Sequence, residues 1–270
     1  MEIKRICVLY FSPTGGTERI ARYVAGELAK RLGLEPEYIP FTKPGEREKE
    51  RRFGPADLLV MASPVYAGRL PNKIMPEYRA KIIGDSTPAL PLCVFGNRSP
   101  DEALRELVLL LEDNGFRPVG GGAFAGRHAF SDEVGEGRPD EEDFVQMADF
   151  AARIADKLAG EALPPLEVDR GEIGPYYTPL KRDGTPAKFL KAKPLTHWKK
   201  CSRCGACARA CPMGSIDPET MDAVGLCVKC QACVHKCTRQ AKYFEDADFL
   251  SHVAMLERNY TRRAENQILL

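Results

Sequence analysis

No stretch of the 270 residues approaches the roughly 18 consecutive apolar side chains that cross a bilayer as a helix. The residues after Met1, Glu2-Ile3-Lys4-Arg5, contain no apolar signal-peptide core, so the sequence predicts a soluble, cytoplasmic protein without a membrane partner. Net charge is nearly absent as well. Lys and Arg number 39 against 38 Asp and Glu, which leaves +1 at neutral pH and excludes an electrostatically driven nucleic-acid binder. With 44% hydrophobic and 29% charged residues, wholesale disorder is excluded too. Cysteine is almost missing from the first 200 residues, where Cys7 and Cys93 stand alone and read as small buried core residues. The other eight fall between Cys201 and Cys237. That crowding excludes a disulfide scaffold and points to a ligand cluster.

What is present divides the chain. Residues 1–160 carry 22 basic and 25 acidic side chains (−3), whereas 161–270 carry 17 and 13 (+4), so the two parts attract each other. Over 3–158 short apolar runs alternate with amphipathic segments, the pattern of βαβ units around a parallel sheet. The runs predict strands at 3–11, 35–39, 57–62, 92–96 and 117–124, buried on both faces. Ile20, Val24, Leu28 and Leu32 form one helical stripe ended by Gly33. A second helix is expected from Ser99, with Pro100 at its first position and Glu102 completing a capping box, and with Leu104, Leu107, Val108 and Leu111 inward. A third is expected from about Pro139, with acids at 140–143 in its first turn and Gly160 closing it.

Six prolines punctuate residues 161–195, which predict a linker or an extended wrap. Residues 181–200 hold seven basic side chains and only Asp183 as an acid, a natural complement to the seven acids between Asp132 and Asp143. Phe249, Val253, Leu256 and Tyr260 recur at helical spacing in 246–270. This tail is expected to form one helix packed on its own chain, with a homodimer contact as the alternative. The expected units are thus 1–160, a linker at 161–195, a cysteine-bearing unit at 196–245 and a helical tail at 246–270.

The run Cys201-x-x-Cys204-x-x-Cys207-x-x-x-Cys211-Pro212 returns 26 residues later as Cys227-x-x-Cys230-x-x-Cys233-x-x-x-Cys237. Two residues between ligands let a tight loop present three thiolates to one cubane cluster, while the three-residue step carries the fourth outward to a second centre. Zinc is the alternative for soft thiolates, but isolated Cys-x-x-Cys pairs suffice for it and leave the third and fourth cysteines without a purpose. The doubled motif resembles bacterial-type two-cluster ferredoxins over about residues 196–245. That resemblance implies two [4Fe–4S] clusters, one held by Cys201, Cys204, Cys207 and Cys237 and the other by Cys227, Cys230, Cys233 and Cys211. Thr238 departs from the family, which has proline there. Many such ferredoxins are acidic, whereas 196–245 holds eight basic and four acidic residues; the excess cations should raise the cluster potentials.

At the end of the first strand, Ser12-Pro13-Thr14-Gly15-Gly16-Thr17 leads straight into the first helix. Hydroxyls, glycines and the free N–H groups of a helix start make a phosphate cradle. There is no Gly-Lys-Ser/Thr for a triphosphate and no Gly-x-Gly-x-x-Gly for a dinucleotide. The segment resembles the phosphate loop of flavodoxins, and residues 1–160 have their strand and helix sequence. The resemblance implies an α/β fold with a five-stranded doubly wound parallel sheet of order 2-1-3-4-5, followed by a small α+β two-cluster domain. It implies FMN at the carboxyl ends of the strands, its phosphate held by Ser12, Thr14, Gly15, Gly16 and Thr17. Two more loops would flank the ring: Ser63, Pro64, Val65, Tyr66, Ala67, Gly68 and Arg69, with Tyr66 stacking, and Gly96, Asn97 and Arg98. The family's aromatic in that last loop is replaced here by Asn97 and Arg98, so His128 and Phe130, or the two-cluster unit itself, are candidates to cover the open face. Arg69 and Arg98 are candidates to stabilise an anionic reduced flavin.

Together the two units resemble flavodoxin–ferredoxin fusions of anaerobic microbes. The expected function is electron transfer between FMN, two [4Fe–4S] clusters and an external redox protein. No acid, base or nucleophile is required of such a chain, and no catalytic residue is assigned. The alternatives are a flavin-dependent reductase of a small molecule fed by the clusters, for which no proton-donor pair or nicotinamide fingerprint is visible, and a redox- or iron-sensing interaction protein.

Overall fold

The computed structural model describes residues 2–160 and 163–270. Its first part runs β1 (Arg5–Tyr10), α1 (Gly16–Leu32), β2 (Pro36–Pro40), β3 (Arg51–Phe53), β4 (Asp57–Pro64), α2 (Met75–Lys81), β5 (Ile82–Gly84), β6 (Thr87–Phe95), α3 (Ala103–Asp113), β7 (Phe116–Pro118), β8 (Gly121–Ala125) and α4 (Glu141–Ala159). The central strands lie in the order β2-β1-β4-β6-β8, all parallel. This is the expected 2-1-3-4-5 arrangement in a doubly wound α/β sheet. β6 begins at Thr87, five residues before its expected start, because Pro88 and Pro91 interrupt the sequence signal but not the buried strand. The fifth expected strand is split: β7 pairs with the start of β6 and β8 with its end. β3 and β5 form a separate parallel pair that the sequence pattern did not announce.

Alternation along β1 separates two apolar layers. Ile6, Val8 and Tyr10 face a core shared with α1 and α4, while Cys7 and Leu9 face one shared with α2 and α3. Both layers exclude water, and each fully buried Leu, Ile or Phe adds about 2 kcal/mol. Cys7 and Cys93 are fully buried there. α1 ends as expected, with Gly33 in the left-handed region donating to the Ala29 carbonyl. α4 starts with Asp140 and Asp143 in a reciprocal capping box. The helix expected from Ser99 begins instead at Ala103. Glu102 N–H donates to the Gly68 carbonyl, and the Glu102 carboxylate pairs with Arg105, so neither can close the expected cap.

Beyond α4 the chain wraps. Arg105 and Glu112 hold residues 169–172, and Tyr176 and Tyr177 bond to the Leu70 and Ala67 carbonyls. The cysteine-bearing part follows with β9 (Leu195–Thr196), α5 (Ala206–Ala210), α6 (Ala232–His235) and β10 (Lys242–Tyr243), the last antiparallel to β9. α7 (Ala247–Asn259) packs through Phe249, His252 and Leu256 against Phe130, Val134 and Phe189 of its own chain. The tail is not helix alone. β11 (Gln267–Leu269) returns to the first sheet and lies antiparallel on β8, with Ile268 opposite Gly122. The cysteine-bearing part is therefore enclosed between two segments anchored on one sheet.

Polar contacts secure this return. Asn97 donates to the Tyr260 and Arg262 carbonyls at 2.8 Å each and accepts from Arg138 and from Ala264 N–H at 3.1 Å each. Buried Arg138 pairs with Asp143, and Arg263 pairs with Asp140, Glu142 and Asp143. The expected pairing of the 132–143 acids with the 181–200 cations is not made among the described residues. Asp132, Asp140, Glu142 and Asp143 are instead taken by Arg127, Arg138 and Arg263. No described helix is long and apolar enough to cross a membrane.

Candidate functional site

The doubled cysteine run is doubled in conformation too. Arg203, Gly205 and Gly214 have φ of 55, 71 and 61°, and the positions 26 residues on, Lys229, Gln231 and Gln240, have 55, 64 and 50°. These left-handed residues turn backbone N–H groups toward sulfur. Arg203 N–H meets Cys201 Sγ at 3.4 Å; Ser215 and Ala241, again 26 apart, meet Cys211 and Cys237 at 3.3 and 3.1 Å. Cys201, Cys204, Cys207 and Cys237 line one cavity, and Cys211, Cys227, Cys230 and Cys233 line another. The two sets coincide with the two expected quartets. Among the described residues no three such side chains converge on a point fit for one ion; each quartet surrounds a space instead. Burial pushes the Cys233 thiol up to about 12 and raises Cys230 further. Cys204 is lowered by the Ala206 N–H and the Ser202 hydroxyl.

A third cavity, of about 250 Å³, opens at the carboxyl ends of β1, β4, β6 and β8. Thr14, Gly16 and Thr17 line it at the start of α1, Pro64, Val65, Tyr66 and Ala67 after β4, and Gly96 and Arg98 after β6. Among the described residues none of the N–H groups from Thr14 to Thr17 meets an acceptor, and a Cβ on Gly16 would touch nothing within 4 Å. Tyr66 is held by paired backbone bonds to Arg69, and burial with the nearby Cys230 thiol raises its phenol well above the ordinary value. His128 and Phe130 close one side. His128 Nδ1 accepts Phe130 N–H at 3.1 Å, and burial lowers its pKa to about 4, with His252 and Arg98 adding to the shift.

Several expected contacts lie elsewhere. Ser12 Oγ is used inside the protein, accepting Glu18 N–H at 2.9 Å, and Gly15 serves as the left-handed helix cap. Ser63 is fully buried beneath Tyr78, and Gly68 completes the turn against Asp101. The Asn97 side chain is turned onto the C-terminal segment, as described above, and not toward the cavity. Arg69 is also removed from the candidates for charge stabilisation: it forms a bidentate pair with Glu106 and stacks on Tyr176. Arg98 stays on the wall, over the Tyr177 ring at 4.1 Å and paired with Asp101.

Residues 194–217, which hold the first cysteine run, match the family described as 4Fe-4S binding domain. The chain joins a flavodoxin-like fold to a ferredoxin-type segment. Among solved structures it is similar to a Streptococcus pneumonia flavodoxin (22% identity, 57% of this chain and 99% of that one, TM-score 0.41). It is also similar to flavodoxin 2 of Bacillus cereus (19% identity, 57% and 99%, TM-score 0.42). No curated protein matches the chain.

The cavity is completed by residues from outside the flavodoxin-like part: the cysteine-bearing unit was an expected cover, whereas the wrap and α7 were not. Tyr177 and Pro179 come from the wrap, Phe189 from its end, and His252 and Leu256 from α7. The ferredoxin-type part supplies Val228, Lys229 and Cys230, which line both this cavity and that of the second cysteine quartet. Among the described residues the buried Tyr177 hydroxyl makes no close hydrogen bond, and the Tyr260 phenol lies beside it. The linkage is reinforced by His235 Nε2 against the Ala129 carbonyl at 2.9 Å.

Proposed function

We propose that the chain is an electron-transfer protein that holds FMN in the 250 Å³ cavity and one [4Fe–4S] cluster in each cysteine-lined cavity. The observation that carries this reading is the shared wall Val228–Lys229–Cys230, which brings a thiol of the second quartet to the edge of the flavin cavity. FMN exchanges one or two electrons and each cluster one, so the assembly converts between pair and single-electron chemistry. The free N–H groups of Thr14, Gly15, Gly16 and Thr17, at the positive end of a 17-residue helix, would hold the phosphate. Tyr66 and Ala67 would cover one ring face, with Gly96, Arg98, His128 and Phe130 around the remainder. Cys201, Cys204, Cys207 and Cys237 would ligate one cluster, and Cys211, Cys227, Cys230 and Cys233 the one nearer the flavin.

The same proposal extends to a separate redox protein as donor or acceptor. Anaerobic purification with iron, sulfide, zinc and flavin analysis tests the cofactors together. About eight iron, eight sulfide and one FMN per chain are expected. Zinc without sulfide, or clusters without flavin, would overturn the reading.

A further inference from the structure

The two quartets are not equivalent toward solvent. The second faces the flavin cavity, whereas the first includes the exposed Cys204. Around that outer quartet the surface is cationic. Lys199, Lys200, Arg203, Arg209, Lys236 and Arg239 are all exposed, and none forms an ion pair among the described residues. They are also local to the cysteine loop: Arg209 donates to the Cys204 carbonyl at 2.9 Å, and Arg203 lies over the half-exposed Trp198 ring at 5.7 Å. Residues 196–216 and 227–244, which carry every ligand cysteine, contain no Asp or Glu at all. Unpaired surface cations around an aromatic side chain form an interface awaiting an opposite charge, because they raise the local concentration of an acidic partner.

We propose that the Trp198–Cys204 surface docks an acidic one-electron carrier protein, so that electrons enter or leave through the outer quartet. This rests on the electron-transfer reading above. A reduced acidic ferredoxin docked there gives one electron to the outer cluster and becomes oxidised, with no proton or bond exchanged.

The test is stopped-flow oxidation of a purified, prereduced acidic [2Fe–2S] ferredoxin by the fully loaded protein. The second-order rate should fall about tenfold or more as ionic strength rises from low to high salt, where screening shortens to a few ångströms. The triple variant Lys199→Glu, Lys200→Glu, Arg203→Glu should start about tenfold slower and lose its salt dependence. The Gln versions at the same positions should lie between. A basic c-type cytochrome, accepting electrons from the reduced protein, should respond to the charge reversal in the opposite sense. Unchanged rates and salt slopes in the Glu variant at equal iron and FMN content would overturn the proposal and leave the cations as counter-charges of the clusters. Photoreduction with a deazaflavin needs no docking; if it reduces flavin but never clusters, the electron-transfer reading falls, and this inference with it.

Discussion

Arg47 Nη2 donates to the carbonyl of Pro212 at 2.9 Å, a buried bond that joins the turn between β2 and β3 to the residue after the fourth cysteine of the first run. The same guanidinium pairs with Glu77 at 2.6 Å and bonds the Thr42 carbonyl, both within its own part, so its charge is met there and docking adds the Pro212 carbonyl. Arg47→Met should strand the Pro212 carbonyl and the Glu77 carboxylate. The expected loss is about 2–4 kcal/mol. Faster amide exchange at Ser215, whose N–H points at Cys211 Sγ, would show that the loosening reaches the ligand loop; unchanged exchange there would show that it does not.

Gly96 allows His128 to lie across it. A Cβ at this position would sit 2.9 Å from the His128 Cα, closer than real contacts permit. Gly96→Ala should displace the His128–Phe130 wall, destabilise the fold by about 1–3 kcal/mol and weaken FMN binding about tenfold. Fluorescence titration of the flavin-free protein measures the latter, and native affinity in the variant would show that this wall does not touch the flavin.

His128 makes stability depend on pH. Its folded pKa is depressed to about 4, while an unfolded histidine titrates near 6.5. Between these values the unfolded chain binds the extra proton, so the stabilisation is complete above about pH 6.5 and declines as pH falls toward 4. His128→Asn keeps an acceptor for Phe130 N–H without the titration. The wild type should lose up to about 2 kcal/mol more than the variant between pH 7 and pH 5. Thermal midpoints at matched cluster content give the comparison, and parallel slopes would contradict it.

Lys242 is 4% exposed and bonds Thr196 Oγ1 at 2.7 Å and the Met221 carbonyl, with no carboxylate partner among the described residues. Its ammonium lies near Cys207 and Cys233, one thiol from each quartet. A buried cation needs an opposite charge, and thiolates ligating the proposed clusters would provide one. Lys242→Met should lower the reduction potentials of both proposed clusters, since a positive neighbour favours the more negative reduced state. Potentiometric titration followed by electron paramagnetic resonance reads this directly; equal potentials in variant and wild type would make Lys242 a packing residue only.

Local chemistry was legible wherever short-range spacing carries it. The 26-residue repeat of the cysteines reappears as a repeat of left-handed residues and of N–H contacts to sulfur, because ligand spacing and loop conformation are the same constraint. The turn from Thr14 to Thr17 was legible for a similar reason: strand, glycines and helix start are contiguous. Asn97 illustrates the opposite case. Its position in a loop beside the cavity suggested a flavin contact, yet its four hydrogen bonds go to residues 138 and 260–264.

The sequence by itself determined the parallel sheet, the turn from Thr14 to Thr17 and the doubled cysteine run, since each depends on residues a few positions apart or on apolar periodicity, while the division of the thiols into two quartets rested on the resemblance. Only the tertiary structure decided that β11 returns to pair with β8, that Arg69 is occupied by Glu106, and that Cys230 borders the cavity of Tyr66 and His128. Those relations join segments distant in the chain and rest on shape and hydrogen-bond satisfaction during packing, for which no local pattern of residues is a code.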